Sequence, residues 1–227
     1  MKKLFKNEPN LPRAELFRDF VRLKIDSLRQ FETLVEQGLI EERVRIETYK
    51  RDLKIEQFES EFEFDSYLDA LNDDLFQTKE IEDTSKFLMV VQLKIVLETT
   101  TKRVLLWAVN SVSEEERNKF LKDMSYQKRL REKMERLNIN IEDIADSLTI
   151  DELRCLCNAI KHGGLVDEEL SKFAVWSNDI GKEINTTKID LERYYEAIPK
   201  YIFDFTEKVK DSLISIQYVE LSKLKQK

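Results

Sequence analysis

The sequence predicts an all-α fold, and three observations support this prediction. Glycine and proline, the residues that most often interrupt helices, are rare, with 4 Gly and 3 Pro among 227 residues. Apolar residues recur at three- and four-residue spacing over long stretches, which is the repeat of an amphipathic helix. Hydrophobic residues make up 41% of the chain and charged residues 37%, as expected for helices with a buried face and a solvated face. We therefore expect a single all-α domain over residues 1–227.

Residues 1–84 are predicted to form an N-terminal helical extension. A first helix begins near Pro12, which suits a first helical turn, and ends near Gly38. A second helix, with a thinner apolar face, runs from residue 41 to about residue 58.

An acidic segment completes this extension. Residues 56–83 contain eleven acidic residues and one base, Lys79, with aromatic residues interleaved. We interpret the segment as the solvated face of a short amphipathic helix. The alternative is a docking surface for a basic protein partner.

Residues 85–227 are predicted to form the core of the domain. The most apolar stretch, residues 86–110, is expected to be a buried central helix. Glu98 lies in its middle and either pairs with Lys102 one turn away or acts as an acidic partner of functional residues elsewhere. Residues 167–180 are predicted to form a shorter helix. A long final helix over residues 189–223 follows, with a kink at Pro199.

A basic helix is predicted between the central helix and the motif discussed below. Ser113 and Glu116 give a capping-box signature at its start, and residues 117–136 carry eight bases against three acids. These bases either cover a helix surface or hold a phosphate backbone. The candidate RNA-binding residues are Lys128, Arg129, Arg131 and Lys133.

Charge and composition exclude several classes of protein. A net charge of −7 argues against a protein that coats long stretches of nucleic acid or membrane, although it allows a small phosphate site. No run of 18 apolar residues suggests a membrane span, and no apolar core of a signal peptide follows the basic start. Cys155 and Cys157 lie two residues apart in one predicted helix, where they cannot bridge each other. Free thiols suit a reducing compartment, so we expect a cytoplasmic protein.

No cofactor or metal is expected. The sequence has no glycine-rich phosphate loop. The only set of metal-ligating side chains near one another, Cys155, Cys157 and His162, has too few ligands, and its two thiols diverge on a helix.

The stretch over residues 149–164 has the features of a functional site. It contains the only histidine, His162, followed directly by Gly163 and Gly164, which are natural helix terminators. Thr149 and Glu152 form a capping-box signature for the start of this helix. A polar stripe runs along the helix to its end, and its members are Arg154, Asn158, Lys161 and His162.

These residue types suit metal-independent RNA cleavage. Histidine is the side chain best suited to proton transfer near neutral pH. Arg154 and Lys161 can stabilise an anionic, phosphorane-like transition state formed by attack of a 2′-hydroxyl, and Asn158 can orient the imidazole or a ribose hydroxyl. One histidine does not easily serve as both acid and base, and a symmetric dimer would supply a second. The alternative is a solvated helix face whose histidine interacts only with the helix dipole.

The letters LRCLCNAIKHGG resemble the signature helix of the HEPN superfamily, a group of all-α nuclease and nucleotide-binding domains. Its signature is an arginine followed four to six residues later by histidine, with a polar residue directly after the arginine. The resemblance implies a HEPN-like helical bundle with long central and C-terminal helices, His162 as the catalytic histidine and Asn158 as the polar residue. It also implies a homodimer in which two motifs face each other.

One position departs from the signature. Cys157 stands where the resemblance requires arginine, and Arg154 lies about one turn earlier. Either Arg154 or Lys161 replaces the missing charge, with Glu98 as the acidic partner, or the domain is non-catalytic. The two hypotheses are therefore a HEPN-type ribonuclease, as found in toxin–antitoxin and phage-defence systems, and a non-catalytic interaction or dimerisation module.

Overall fold

The structure, a computed structural model, describes residues 12–108, 134–135 and 137–225 as an all-helical protein. Its four α-helices are α1 (Ala14–Asp52), α2 (Glu61–Ala108), α3 (Ser147–Lys161) and α4 (Leu191–Lys225). These described ranges contain no strand, and a single antiparallel bridge joins Leu165 to Glu183. The predicted all-α class is confirmed.

Helix α1 is one continuous helix, so the predicted break near Gly38 is wrong. Gly38 lies on an exposed part of the helix, and a Cβ added there would meet nothing within 4 Å. A glycine inside a helix costs about 1 kcal/mol relative to alanine. Leu39 and Ile46, two turns apart on one face, are both buried and continue the packed side of α1 beyond the glycine. This burial outweighs the local cost.

Helix α2 is also continuous and merges the acidic segment with the apolar central helix. It passes without interruption through residues 84 and 85, where the sequence analysis placed the end of the extension. A loop containing a short 3₁₀ segment, Ile55–Gln57, reverses the chain between α1 and α2. Arg43 of α1 contacts Glu82 of α2 at 2.8 Å, and Lys50 contacts Asn72 at 3.0 Å, so the two helices form an antiparallel hairpin.

The core lies where α1, α2 and α4 meet, and α3 packs onto α2 and α4. Helix α4 runs unbroken through Pro199, which is buried. The fully buried side chains near the contact with α3 come from three helices and are Leu93, Leu153, Leu156, Ile198 and Ile202.

The start of α3 and the loop after it differ from prediction. The helix begins at Ser147 after Asp146, whose φ is +58°, so Thr149 does not cap it and the predicted capping box is wrong. Residues 167–180 form turns and a short 3₁₀ segment, Leu170–Lys172, instead of an α-helix. Successive i to i+3 hydrogen bonds run from Leu170 through Phe173 to Trp176. Apolar residues three apart match this tighter repeat as well as they match an α-helix.

Within the described ranges, none of the helices combines the length and apolar character needed to cross a bilayer. The capping signature at Ser113 and Glu116 lies outside the described residues, as do the candidate RNA-binding side chains Lys128, Arg129, Arg131 and Lys133.

Candidate functional site

The site begins at the C-terminal end of α3, where the glycines end the helix as predicted. His162 is the C-cap residue of α3, and its backbone N–H donates hydrogen bonds to the carbonyls of Asn158 and Ala159. Gly163 and Gly164 follow with φ of +122° and +71°, a backbone conformation that side chains disfavour. The Gly164 carbonyl accepts a hydrogen bond from the N–H of Ile184 at 2.8 Å. The following loop therefore anchors the end of α3.

The imidazole of His162 faces solvent. His162 is exposed, and among the described residues none forms a hydrogen bond or an ion pair with its imidazole ring. It stands one turn beyond Asn158 on the same face of α3. The imidazole is therefore accessible to a ligand.

Asn158 is held from α2 by a residue that the sequence analysis did not select. The Lys94 ammonium donates to Asn158 Oδ1 at 3.1 Å, and its side chain is only 14% exposed. Glu98 Oε1 lies 3.4 Å from the same ammonium, while the Glu98 side chain is 48% exposed. Glu98 thus connects to the motif through Lys94. The available sequence signal was a Lys and a Glu four residues apart within an otherwise apolar stretch.

Cys157, at the position where the HEPN signature has arginine, is fully buried beside two lysines. Burial raises the pKa of the Cys157 thiol, and the positive charges of Lys94 and Lys161 act against that rise. The positive charges that act on this buried position therefore come from two different helices.

The Arg154 side chain interacts with Asp151 and Cys155 of α3. Its Nε donates to Asp151 Oδ1 at 2.8 Å, and a terminal amino group lies 3.1 Å from Cys155 Sγ. Burial lowers the pKa of Arg154, but the hydrogen bond and charge of Asp151 outweigh it, so the net shift is upward. In the described structure, Arg154 forms no hydrogen bond with Asn158 or His162. Both thiols are free and buried, and burial raises the pKa of Cys155 as well, which disfavours a cysteine nucleophile.

A buried carboxylate on α3 connects this helix to neighbouring parts of the fold. Glu152 is 4% exposed, and its Oε1 accepts hydrogen bonds from Trp176 Nε1 at 3.1 Å and from the Tyr194 hydroxyl at 3.1 Å. An Arg193 amino group forms an ion pair with the same oxygen at 2.7 Å. Burial raises the pKa of Tyr194, and the charge of Glu152 raises it further. The cluster joins α3 to the loop and to α4. A signal for this cluster was present in the sequence, because Glu152 lies on the same helical face as the apolar Leu156.

Neither a metal site nor a similarity to a known protein adds to this geometry. Over the described ranges, no group of three or more His, Cys, Asp or Glu side chains is arranged to hold a metal ion. No protein-family model matches the chain, and no curated protein or solved structure matches it either.

Proposed function

We propose that this chain is a metal-independent endoribonuclease of HEPN type that acts in the cytoplasm, in a toxin–antitoxin or phage-defence setting. The observation that supports the proposal is the accessible imidazole of His162, one turn from Asn158 and next to Lys161 at the end of α3. A general base, an amide and a cation at one helix end are the groups that phosphodiester cleavage requires. Two buried, unpaired thiols suit a reducing compartment.

The reaction is an internal transfer at phosphorus. His162 takes the proton of a ribose 2′-hydroxyl, and the 2′-oxygen forms a bond to phosphorus as the bond from phosphorus to the 5′-oxygen breaks. A second imidazole, protonated, gives its proton to the departing 5′-oxygen. The products are a 2′,3′-cyclic phosphate and a 5′-hydroxyl. Lys161 offsets the negative charge that develops on the phosphorane oxygens.

A second copy of the chain supplies that second imidazole. Ile81, Leu88 and Ile95 lie seven residues apart on α2 and are 53%, 53% and 44% exposed. Seven-residue apolar spacing is the pattern by which one helix packs against another. Ile95 lies three residues before Glu98, so this end of the stripe is next to the site. We infer that a two-fold-related copy covers this stripe and brings two His162 side chains together.

The central experiment measures cleavage of single-stranded RNA by the purified full chain in the presence of a metal chelator. We expect fragments ending in a 2′,3′-cyclic phosphate. His162→Ala removes the base, so cleavage disappears while circular dichroism stays unchanged, and added imidazole restores part of it. Full activity in His162→Ala would refute the proposal.

The dimer is tested separately by light scattering. Leu88→Asp places a charge in the α2 stripe and should give an inactive monomer. The matched control is Leu34→Asp, because Leu34 is 67% exposed on α1 and lies outside the stripe. Equal dimerisation of the two variants would exclude this interface.

A non-catalytic interaction module is the second candidate. The acidic half of α2 exposes Phe62 at 81% and Phe76 at 65%, and such aromatic side chains among carboxylates suit a basic protein partner. This function predicts no RNA cleavage under any condition. It also predicts a stable complex that is lost in the double variant Phe62→Ser, Phe76→Ser.

A further inference from the structure

We propose that Lys94, together with Lys161, forms a phosphate-binding site that takes the place of the arginine missing at Cys157. The assignment of this phosphate to RNA rests on the function proposed above, whereas the two-lysine site itself rests on contacts within this chain. Lys94 belongs to α2 and lies 64 residues from Asn158 in sequence, so it enters the motif only through the packing of α2 on α3.

The hydrogen bonding of Lys94 leaves capacity for a ligand. An ammonium carries three N–H donors. Asn158 Oδ1 accepts one of them at 3.1 Å, and the Glu98 carboxylate lies 3.4 Å from the same nitrogen. The described residues provide no third acceptor. A phosphate oxygen is an acceptor with the charge and geometry to use the remaining donor.

The electrostatic balance of this place is positive. Lys94 contacts Asn158, and Lys161 follows Asn158 by three residues on α3, a spacing at which helical side chains are neighbours, so both lysines belong to the same part of the α2–α3 contact. Glu98 is the carboxylate in contact with Lys94, and it is half exposed to solvent. Two cations against one solvated carboxylate leave an excess positive charge. The low exposure of Lys94, 14%, strengthens its interaction with an anion relative to a surface lysine.

The single histidine makes the site directly observable. His162 is the only histidine in the chain, so its imidazole gives one set of resonances in an NMR spectrum. It follows Asn158 by one turn, and Asn158 contacts Lys94. An anion bound at Lys94 therefore changes the environment of the His162 ring, and the shift of its resonance with added ligand gives a dissociation constant that does not depend on RNA cleavage.

Two probes distinguish the sources of phosphate. Inorganic phosphate tests the cation site alone, and a single-stranded DNA oligonucleotide, which lacks the 2′-hydroxyl, tests binding of a nucleic-acid backbone without cleavage. Both are titrated into the full chain and into Lys94→Met, which keeps the apolar stem. Lys94→Arg restores the charge. Lys200→Met is the control, because Lys200 is exposed on α4 and pairs only with Glu196 among the described residues.

We expect Lys94→Met to weaken binding of both probes at least about tenfold, as loss of one charge-assisted contact implies. Lys94→Arg should recover most of the affinity, and Lys200→Met should match the wild type. If Lys94→Arg recovers the affinity, the weaker binding of Lys94→Met results from the missing charge and not from a loss of folding. Equal affinity in wild type and Lys94→Met, or no resonance shift with either probe, overturns the proposal.

The outcomes separate this inference from the ribonuclease proposal. Binding that depends on Lys94 without RNA cleavage supports the phosphate site and contradicts the nuclease function. Cleavage by wild type with unchanged cleavage and binding in Lys94→Met supports the nuclease function and rejects the role of Lys94. A response to inorganic phosphate but not to the oligonucleotide supports the site as one for a small phosphate ligand and contradicts its assignment to RNA.

Discussion

Replacing Glu152 with alanine tests the buried cluster that holds α3 in place. The change removes the acceptor of two hydrogen bonds and the anion of one ion pair, while leaving their partners behind. Trp176 and Tyr194 are 0% and 1% exposed, so their donors cannot turn to water. The Arg193 side chain is 37% exposed and can be solvated again.

The magnitude follows from these two classes of donor. A buried donor left without a partner costs about 1–3 kcal/mol. Two such donors, with the Arg193 guanidinium largely resolvated, give a loss of about 3 kcal/mol in the free energy of unfolding. For a chain of this length, that corresponds to a fall in Tm of about 6–12 °C. Glu152→Gln keeps an acceptor oxygen and loses only the charge, so its loss should be about 1 kcal/mol.

The measurement is urea unfolding followed by far-UV circular dichroism. Glu169→Ala is the control, because Glu169 is 60% exposed and pairs with Lys172 on the surface; we expect its unfolding free energy within about 0.5 kcal/mol of wild type. A double-mutant cycle of Glu152→Ala and Trp176→Phe then measures the hydrogen bond between these two side chains, and the two effects should not add. If Glu152→Ala unfolds like Glu169→Ala, the cluster does not hold α3.

Two further predictions concern the α1–α2 hairpin. Gly38→Ala should raise the free energy of unfolding by about 0.5–1 kcal/mol, because an added methyl meets no atom and reduces the freedom of the unfolded chain; an unchanged or lower urea midpoint would contradict a continuous α1. The hydrogen bond from Arg43 lowers the pKa of Glu82 from 4.5 to about 2, so ionised Glu82 stabilises the fold above pH 4.5 and that stability is lost as pH falls towards 2. Glu82→Gln should therefore be less stable at neutral pH, by about 1 kcal/mol after solvent screening, and equal to wild type near pH 2; a pH-independent difference in urea midpoints would refute this linkage.

Local signals in the sequence were sufficient for some elements. The glycine pair after His162 correctly predicts the end of α3, because positive φ at that place requires residues without a side chain. The run of apolar residues around Leu93 correctly predicts a helix with a buried face, although Leu88 and Ile95 of the same stretch are exposed. These features depend on neighbours within a few turns, which the sequence contains in full.

Other features depend on tertiary packing and were missed. Gly38 has the local character of a helix end, but burial of Leu39 and Ile46 continues the helix. Thr149 and Glu152 match a capping signature, yet the Glu152 carboxylate accepts a hydrogen bond from Trp176, which lies 24 residues away in sequence. Lys94 was missed for the same reason: its spacing from Glu98 marks the residue, but its contact with Asn158 spans 64 residues and follows from the packing of α2 on α3.

The length of α2 separates two parts of the molecule in space. Its 48 residues rise by about 1.5 Å each, so Asp69 in the acidic half stands about 37 Å along the helix axis from Lys94. A protein attached near Asp69 does not cover the end of α3 unless it extends across that whole distance. A partner on the acidic half of α2 and a ligand at the end of α3 can therefore be bound at the same time without a steric clash. For the first to regulate binding of the second, the partner must be large or α2 must move as a unit.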